Sequence, residues 1–329
     1  MMDQGLLSDV VGKTPLIKIN SLSQCTGCEI YGKAEFLNPG GSVKDRTAFA
    51  IISDAERRGL LQPDSVIYEG TAGNTGIGLA TYAAQKGYRT CLVMPDNQAP
   101  EKYQTLEALG AQVVKVKPVP FADQNHFYHT ARKMAESDAR GFWADQFENT
   151  ANFWFHYHST GAEIWEQSGG RVSDFCAAVG TGGTLAGVSR FLKSKNSQVR
   201  VTVVDPYGSG IYQYLRSGEI KTEGSSVTEG IGIMRLTRNF KEAKVDEALR
   251  VSDQDMISML YHLARHEGLL VGTSAALNVF AAWKIAEAQK GSGKVIVTIL
   301  CDSALRYQSR IFNPEWLQQK GLRPEPLHL

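Results

Sequence analysis

The sequence predicts an α/β protein with two open, mostly parallel sheets covered by helices, arranged as two domains around a cleft. Three observations carry this expectation. The chain has 329 residues, above the roughly 250–300 at which a single core stops growing. Short β-branched or apolar runs alternate with longer helical periodicities over most of its length, the pattern of helices packed on a parallel sheet. Glycine-rich turns stand at strand ends and helix starts, where open α/β sheets form their ligand crevices.

Residues 65–69 (SVIYE), 90–94 (TCLVM) and 112–116 (QVVKV) read as strands. Between them, 74–86 and 101–109 carry helical periodicity, each closed by a glycine, Gly87 and Gly110. In the second half, 175–179, 201–204 and 295–300 are nearly continuous in apolar residues, as strands buried on both faces are. Helices are expected at 184–195, 253–267 and 274–290. The least regular stretches are 118–125 and 207–238. The second is long, glycine-bearing and charged, like loops that border a site.

Composition excludes several classes of function. With 43% apolar and 21% charged residues, the chain is neither disordered nor a coiled coil. The charge sum is 35 − 34 = +1, so no basic field attracts nucleic acid or anionic lipid. The longest nearly apolar stretch, 268–283, is broken by Thr273, Ser274 and Asn278, short of the roughly 18 apolar residues of a membrane span. The opening MMDQGLL has an acid and no basic region before an apolar run, unlike a secretory leader. A soluble, cytoplasmic protein is expected. Five cysteines, an odd number, make no disulfide framework. Cys25 and Cys28, in Cys-Thr-Gly-Cys, are half a zinc site at most; redox activity of the pair stays open. His156 and His158 lie in a helix-like stretch on nearly opposite faces, so one of them belongs to core or surface. No metal is expected.

Four glycine-rich turns carry the chemistry: 38–46 (NPGGSVKDR), 69–76 (EGTAGNTG), 180–187 (GTGGTLAG) and 272–275 (GTSA). The GTGGT turn directly follows a strand and directly precedes a helix. Its glycines let backbone N–H groups turn inward, and the helix N-terminus adds partial positive charge, which makes an anion cradle suited to phosphate. Thr181 and Thr184 add hydroxyls. Asp205 ends the following strand where a ribose-binding acid would sit. The third fingerprint position is Leu185, however, so the dinucleotide pattern fails and one phosphate is the better fit. In NPGGSVKDR, Ser42 reads as a helix N-cap, placing Lys44 in the first turn. A helix N-terminus disfavours added positive charge and lowers a lysine pKa. The bland reading is a solvated lysine at a helix start. The sharper one is a nucleophile for a carbonyl, and the phosphate-bearing aldehyde that condenses with lysine is pyridoxal phosphate.

On these residues the chain resembles the cysteine synthase (O-acetylserine sulfhydrylase) and cystathionine β-synthase family, pyridoxal-phosphate enzymes of the tryptophan-synthase-β fold type. The resemblance runs from Thr14-Pro15-Leu16 to about Pro314, with the motifs in the family's order. It implies that Lys44 is the Schiff-base lysine and that Asn74 hydrogen-bonds the cofactor's phenolic oxygen. It implies phosphate contacts from Gly180, Thr181, Gly182, Gly183 and Thr184, with Ser274 opposite the pyridine nitrogen. Thr71, Ala72 and Thr75 of the asparagine loop would bind substrate together with Gln146 and Gly230. Ala72 stands where the family commonly has serine. After Gly232, Ile233–Met234–Arg235–Leu236–Thr237–Arg238 replaces a small apolar continuation, and Arg235 would either favour an acidic second substrate or face water. Cys301-Asp302-Ser303 resembles the Pro-Asp-Ser form of cystathionine β-synthase as much as the cysteine synthase form.

The expected division is a smaller, mobile N-terminal domain, 41–151, carrying the asparagine loop, and a larger one, 1–40 with 152–329, carrying the phosphate loop. The implied activity is β-replacement or β-elimination on an L-serine derivative or L-cysteine through an aminoacrylate. Cysteine synthase, making L-cysteine and acetate from O-acetyl-L-serine and sulfide, is the first reading. An L-cysteine desulfhydrase is the alternative, and a non-catalytic partner-binding paralogue is the different-class alternative. A neutral serine at the ring nitrogen makes a weaker electron sink than an aspartate would, favouring prompt loss of the β-substituent over transamination. A homodimer is implied, and the C-terminal tail of serine acetyltransferase is a candidate partner.

Overall fold

The apolar runs pair as strands in two separate sheets of the computed structural model, which describes residues 7–327. Residues 1–6, the start of the MMDQGLL segment, lie outside the described residues. In chain order the strands are β1 (Leu16–Lys18), β2 (Glu29–Ala34), β3 (Val66–Gly70), β4 (Arg89–Pro95) and β5 (Gln112–Val116). They continue with β6 (Gly141–Trp143), β7 (Val172–Ala178), β8 (Arg200–Pro206), β9 (Glu247–Val251) and β10 (Val295–Leu300). Six form one sheet in the order β1-β2-β10-β7-β8-β9, and four form the other as β5-β4-β3-β6. Of these strands only β1 and β2 pair antiparallel; every other neighbouring pair is parallel.

Burial explains the unbroken apolar runs. Every residue of β3 and of β10 is buried, because helices cover both faces of each sheet. Along β10 the side chains alternate between two cores, as strand geometry demands. Ile296 and Leu300 face a cluster with Leu277, Phe280 and Trp283, while Val295, Val297 and Ile299 face one with Phe175, Val201 and Val203. The smaller sheet has its own core, in which Ile67, Leu92 and Met94 meet Ile51, Ile77 and Leu106.

Several boundaries differ from the sequence expectation. The helix expected at 253–267 is α-helical over Asp253–His262 and continues as a π turn, Leu263–Glu267. The stretch 207–238 is not all loop, since it contains the helix Ile211–Ser217. The Asp205 carboxylate accepts the Tyr212 N–H at 2.8 Å, so the residue weighed as a ribose ligand is buried and anchors that helix start. Cys25 lies in a short helix, Asn20–Thr26. Its thiol turns to the Leu22 carbonyl, while Cys28 turns to that of Gln289; all five cysteines are free thiols. Among the described residues no helix is long and apolar enough to cross a membrane.

A buried ionic cluster joins three distant segments beneath the lysine turn. Arg46 is fully buried; its Nε and Nη2 donate to Glu35 at 2.7 and 2.8 Å. Its Nη1 and Nη2 each reach Glu163 at 2.7 Å. Lys33, also fully buried, pairs with Glu163 at 2.6 Å. Burial pushes the Glu163 carboxyl up, but the hydrogen bonds and charges of Arg46 and Lys33 outweigh it and hold the group at about 2. A carboxyl lowered from about 4.5 contributes stability that is complete above that pH and is lost as pH falls toward 2. Glu163→Gln is therefore expected to lose up to about 3 kcal/mol at pH 7. Its deficit against the parent, measured by denaturant unfolding, should shrink steadily between about pH 5 and pH 2. A deficit independent of pH would contradict the ionic account.

Candidate active site

Three of the glycine-rich turns, together with Ser274, wall a cleft of about 310 Å³, within the range of small-molecule sites. Lys44, Thr71, Ala72, Asn74, Thr75 and Gln146 line it on one side; Gly180, Thr181, Gly182, Thr184, Gly230 and Ser274 line it on the other. Gly183 is the one expected site residue set back from the wall. It opens the helix Gly183–Lys195 and packs so closely on Asn152 that a Cβ would meet that side chain at 2.3 Å.

The helix Lys44–Arg57 begins at the lysine itself. The cap position is Val43, not the expected Ser42, and it makes no side-chain cap bond; Ser42 lies one residue earlier and its hydroxyl accepts the Lys44 N–H at 3.2 Å. Asp45 reaches back to the N–H groups of Ser42 and Gly40, at 2.9 and 2.6 Å. These bonds tie the start of the lysine helix back to the glycine turn before it. Lys44 is open to the cleft yet enclosed by protein. Desolvation, rather than the helix end alone, lowers its pKa below the ordinary lysine value.

The asparagine loop ends in a helix N-terminus, Asn74–Lys86. Gly73 has φ +128°, and a Cβ there would meet the Lys102 side chain at 2.5 Å, so only glycine fits. Thr71 accepts the Gly73 N–H at 3.0 Å, and Thr75 donates to the Gln146 side-chain oxygen at 2.6 Å. Gln146 lies at the cleft, but its amide N–H groups already donate to Glu69 and to the Gly70 carbonyl, both at 3.0 Å. In this arrangement it orients Thr75 and offers no free donor of its own.

Opposite lies the GTGGT turn. Gly182 has φ +89°, and a Cβ would strike the Phe240 backbone at 2.6 Å. The first N–H groups of the helix that follows have no intrahelical acceptor. Beneath it, Gly187 lets that helix approach residues 153–157, where a Cβ would meet His156 and Tyr157 at 2.6 Å. The contact presses His156 against the turn. Its ring nitrogens lie 2.8 Å from the Thr160 hydroxyl and 3.2 Å from that of Thr184. Burial drives the imidazole pKa well below its usual value, so a neutral histidine holds Thr184. His158 is exposed and stacks on Trp154.

Ser274 is buried as the second residue of the helix Thr273–Glu287, whose cap position is Gly272. It is therefore no N-cap. The Cys301 thiol also lines the cleft; it accepts from the Asn278 amide at 3.4 Å, and burial pushes its pKa up to about 12. Arg235 lines the cleft; its side chain is partly exposed, and its Nη2 has no hydrogen-bond partner among the described residues. It pairs with Glu148, and its guanidinium lies 4.6, 4.9 and 5.0 Å from the ring centres of Phe121, Tyr128 and Phe147. Those contacts tie the loop after Gly232 to the opposite wall.

The sequence reading missed three supporting residues. Asn152 links Thr47 of the lysine helix to Thr181, both at 2.9 Å. Lys102 is buried against Glu229 at 2.6 Å. Arg306 reaches Asn74 at 2.5 Å. None stands in a glycine-rich turn, and each comes to the site through tertiary folding alone. The donor set now suits one aldehyde that also carries a phosphate: a neutralisable amine, an anion cradle at one helix N-terminus and a second helix N-terminus facing the same cleft.

Comparison with known proteins agrees. Residues 7–302 match the family model for pyridoxal-phosphate dependent enzymes. Cysteine synthase 1 of Neurospora crassa is 48% identical over 321 residues, covering 96% of this chain and 85% of that protein. A cystathionine beta-synthase of Apis mellifera is 38% identical over 316 residues, covering 94% of this chain and 62% of that protein. An O-acetylserine dependent cystathionine beta-synthase from Helicobacter pylori superposes with TM-score 0.85 at 34% identity, covering 94% of this chain and 99% of its own. A hydrogen sulfide-producing enzyme from Fusobacterium nucleatum gives TM-score 0.84 at 33% identity, covering 92% and 99%. With sequence, fold and donor set in agreement over nearly its whole length, the chain belongs to the pyridoxal-phosphate dependent enzyme family.

Proposed function

We propose that the chain is a cysteine synthase, replacing the acetate of O-acetyl-L-serine with sulfide to give L-cysteine. The observation that carries this reading is a desolvated lysine standing between two helix N-termini in one cleft, Lys44 between the Asn74 and Gly183 helices. The cysteine synthase relatives, 44–48% identical over most of the chain, support the choice of reaction. Bound in the cleft, pyridoxal phosphate supplies an electron sink that labilises the α-proton and β-substituent of an amino acid.

Lys44 holds the cofactor aldehyde through Nζ and, when free, moves the α-proton; its lowered pKa leaves more of the amine neutral for both tasks. Thr181, Gly182, Gly183 and Thr184, with Gly180 before them, hold the phosphate. Asn74 faces the phenolic oxygen and Ser274 the ring nitrogen. The N-terminus of the asparagine helix, with Thr71, Ala72 and Thr75, receives the substrate carboxylate, and Gln146 orients Thr75. Gly230 stands at the opposite wall, its carbonyl so near Gly180 that a Cβ there would meet it at 2.4 Å. Residues 41–151 form the smaller, mobile domain against 1–40 with 152–329. The working form is a homodimer, and its cleft is a candidate seat for the C-terminal tail of a serine acetyltransferase. Five unpaired thiols suit a reducing compartment. The cytoplasm is the first choice, though one relative is named a putative mitochondrial cysteine synthase.

The likeness to the hydrogen sulfide-producing enzyme of Fusobacterium nucleatum favours a second reading, sulfide release from L-cysteine. Product analysis separates the two. O-acetyl-L-serine plus sulfide should yield L-cysteine and acetate, and L-cysteine alone should yield little sulfide. The opposite pattern assigns the chain as a desulfhydrase.

Lys44→Ala is expected to cut turnover by about a thousandfold or more, the scale that positioned acid–base groups contribute, with the melting temperature little changed. Near-normal kcat would exclude the assignment. Thr184→Val removes a hydroxyl donor from the phosphate cradle and should raise the cofactor dissociation constant about tenfold, measured by dialysis and absorbance. Ser274→Asp places a carboxylate opposite the ring nitrogen and should favour its protonated form. Slower acetate release and more transamination product are expected, and stopped-flow absorbance with O-acetyl-L-serine reads the difference. Stability should fall, because Ser274 is buried and a carboxylate at that position must be desolvated.

A further inference from the structure

The amide of Asn74 is gripped at both ends by one segment of chain, the turn that follows β10. Its Nδ2 donates to Asp302 at 2.6 Å, and its Oδ1 accepts from the Arg306 guanidinium at 2.5 Å. A carboxylate only accepts and a guanidinium only donates, so the amide has one possible orientation. One of its two N–H groups is taken by Asp302, which leaves the second for the cleft that Asn74 lines.

Asp302 is itself fixed. It is fully buried, and Tyr307 donates to the same carboxylate oxygen at 2.6 Å. Its backbone bridges Ser42 of the lysine turn, and its carbonyl accepts the Gly272 N–H at 3.0 Å. A Cβ at Gly272 would meet the carboxylate at 2.2 Å. The glycine before Ser274 thus makes the room in which Asp302 sits. Arg306 uses its other arm on the Gly40 carbonyl, and so spans the lysine turn and the asparagine loop.

We propose that Asp302 and Arg306 are positioning residues for Asn74, locking its amide so that one N–H is aimed at the cofactor's phenolic oxygen. The proposal rests on the reading above that Asn74 contacts that oxygen. Neither residue lines the cleft; both act through Asn74. A buried hydrogen bond to a charged group is strong and directional, and a loose amide would divide its time between cofactor and water.

The test compares Asn74→Ala, Asp302→Leu, Asp302→Asn and Arg306→Met as cofactor-loaded enzymes. The readouts are the position of the visible absorption band, the cofactor dissociation constant, and kcat and KM with O-acetyl-L-serine. Asp302→Leu and Arg306→Met should move the band in the same direction as Asn74→Ala. They should lower kcat about tenfold with KM little changed, the scale of one lost charge-assisted hydrogen bond. Asp302→Asn, which keeps an acceptor oxygen, should recover most of both. The double variant Asp302→Leu with Asn74→Ala should match Asn74→Ala alone, because the first change has nothing left to act through. Additive shifts, or an unmoved band in Asp302→Leu when Asn74→Ala moves it, would overturn the proposal. An unmoved band and unchanged kcat in Asn74→Ala would instead overturn the assignment of Asn74 to the phenolic oxygen, and the proposal with it. If Asp302→Leu does not fold, Arg306→Met carries the same comparison, since its side chain is only half-buried.

Discussion

The position of Lys44 depends on a charge two residues away that never reaches the cleft. Arg46 is fully buried, and every nitrogen of its guanidinium has a carboxylate partner, Glu35 or Glu163. Removing water from an arginine is costly unless its donors are satisfied. The lysine helix therefore cannot rotate or slide without stranding that charge. Glu35 follows β2 and Glu163 lies beyond the helix Ala151–His156. The cluster thus registers Lys44 against two segments that are distant in sequence. Thr14 closes the arrangement by donating to Glu35 at 2.7 Å, and Lys33 balances the second carboxylate.

A second constraint works at the far end of β10. This strand is the last in the chain but sits in the middle of the larger sheet, between β2 and β7. Its C-terminal end is therefore delivered beneath the cleft. The next residues bond to the lysine turn through Val43 N–H to the Cys301 carbonyl at 2.8 Å, and to the asparagine loop through Asp302 and Arg306. The turns that carry chemistry are thus held from below by a segment that carries none of the expected cofactor contacts.

Most of the framework was legible in the sequence because parallel strands covered on both faces must be continuously apolar. Residues 295–300, all buried, coincide with β10; 112–116 coincide with β5, a partly exposed edge strand legible from its β-branched residues, and 74–86 coincides with the asparagine helix. Boundaries failed where the backbone left simple periodicity. The π turn at Leu263–Glu267 keeps helical spacing to the eye and hides the change of hydrogen bonding. Glycine-rich turns were legible as site elements because close approach and positive φ leave a compositional mark. What lay out of reach was which polar groups would neutralise one another. Arg235 looked like an open cation, because Glu148 and three aromatic rings from other segments give no sign in its own neighbourhood of the chain. Gln146 looked like a free donor for the same reason. The start of the last long helix was also one residue out: Gly272 holds its cap position and Thr273 opens it, so Ser274 lies inside its first turn.

Two consecutive residues after β10 divide their effects between the two ends of the cofactor assigned above. Asp302 turns its carboxylate to Asn74 and Tyr307, on the phenolic-oxygen side of that assignment. Cys301, its neighbour, lines the cleft, and its thiol accepts from the Asn278 amide at 3.4 Å. Burial and the adjoining carboxylate keep that thiol protonated, at about 12. On the proposed assignment, the nitrogen end would meet two neutral groups, Ser274 and Cys301, although a carboxylate lies one residue away in the chain. An extended backbone sends successive side chains in opposite directions, so the separation follows from the local geometry. On that proposed assignment, charge is supplied where it orients the Asn74 amide and withheld where it would hold a proton on the ring. That distribution suits quick departure of a β-substituent better than a long-lived carbanion.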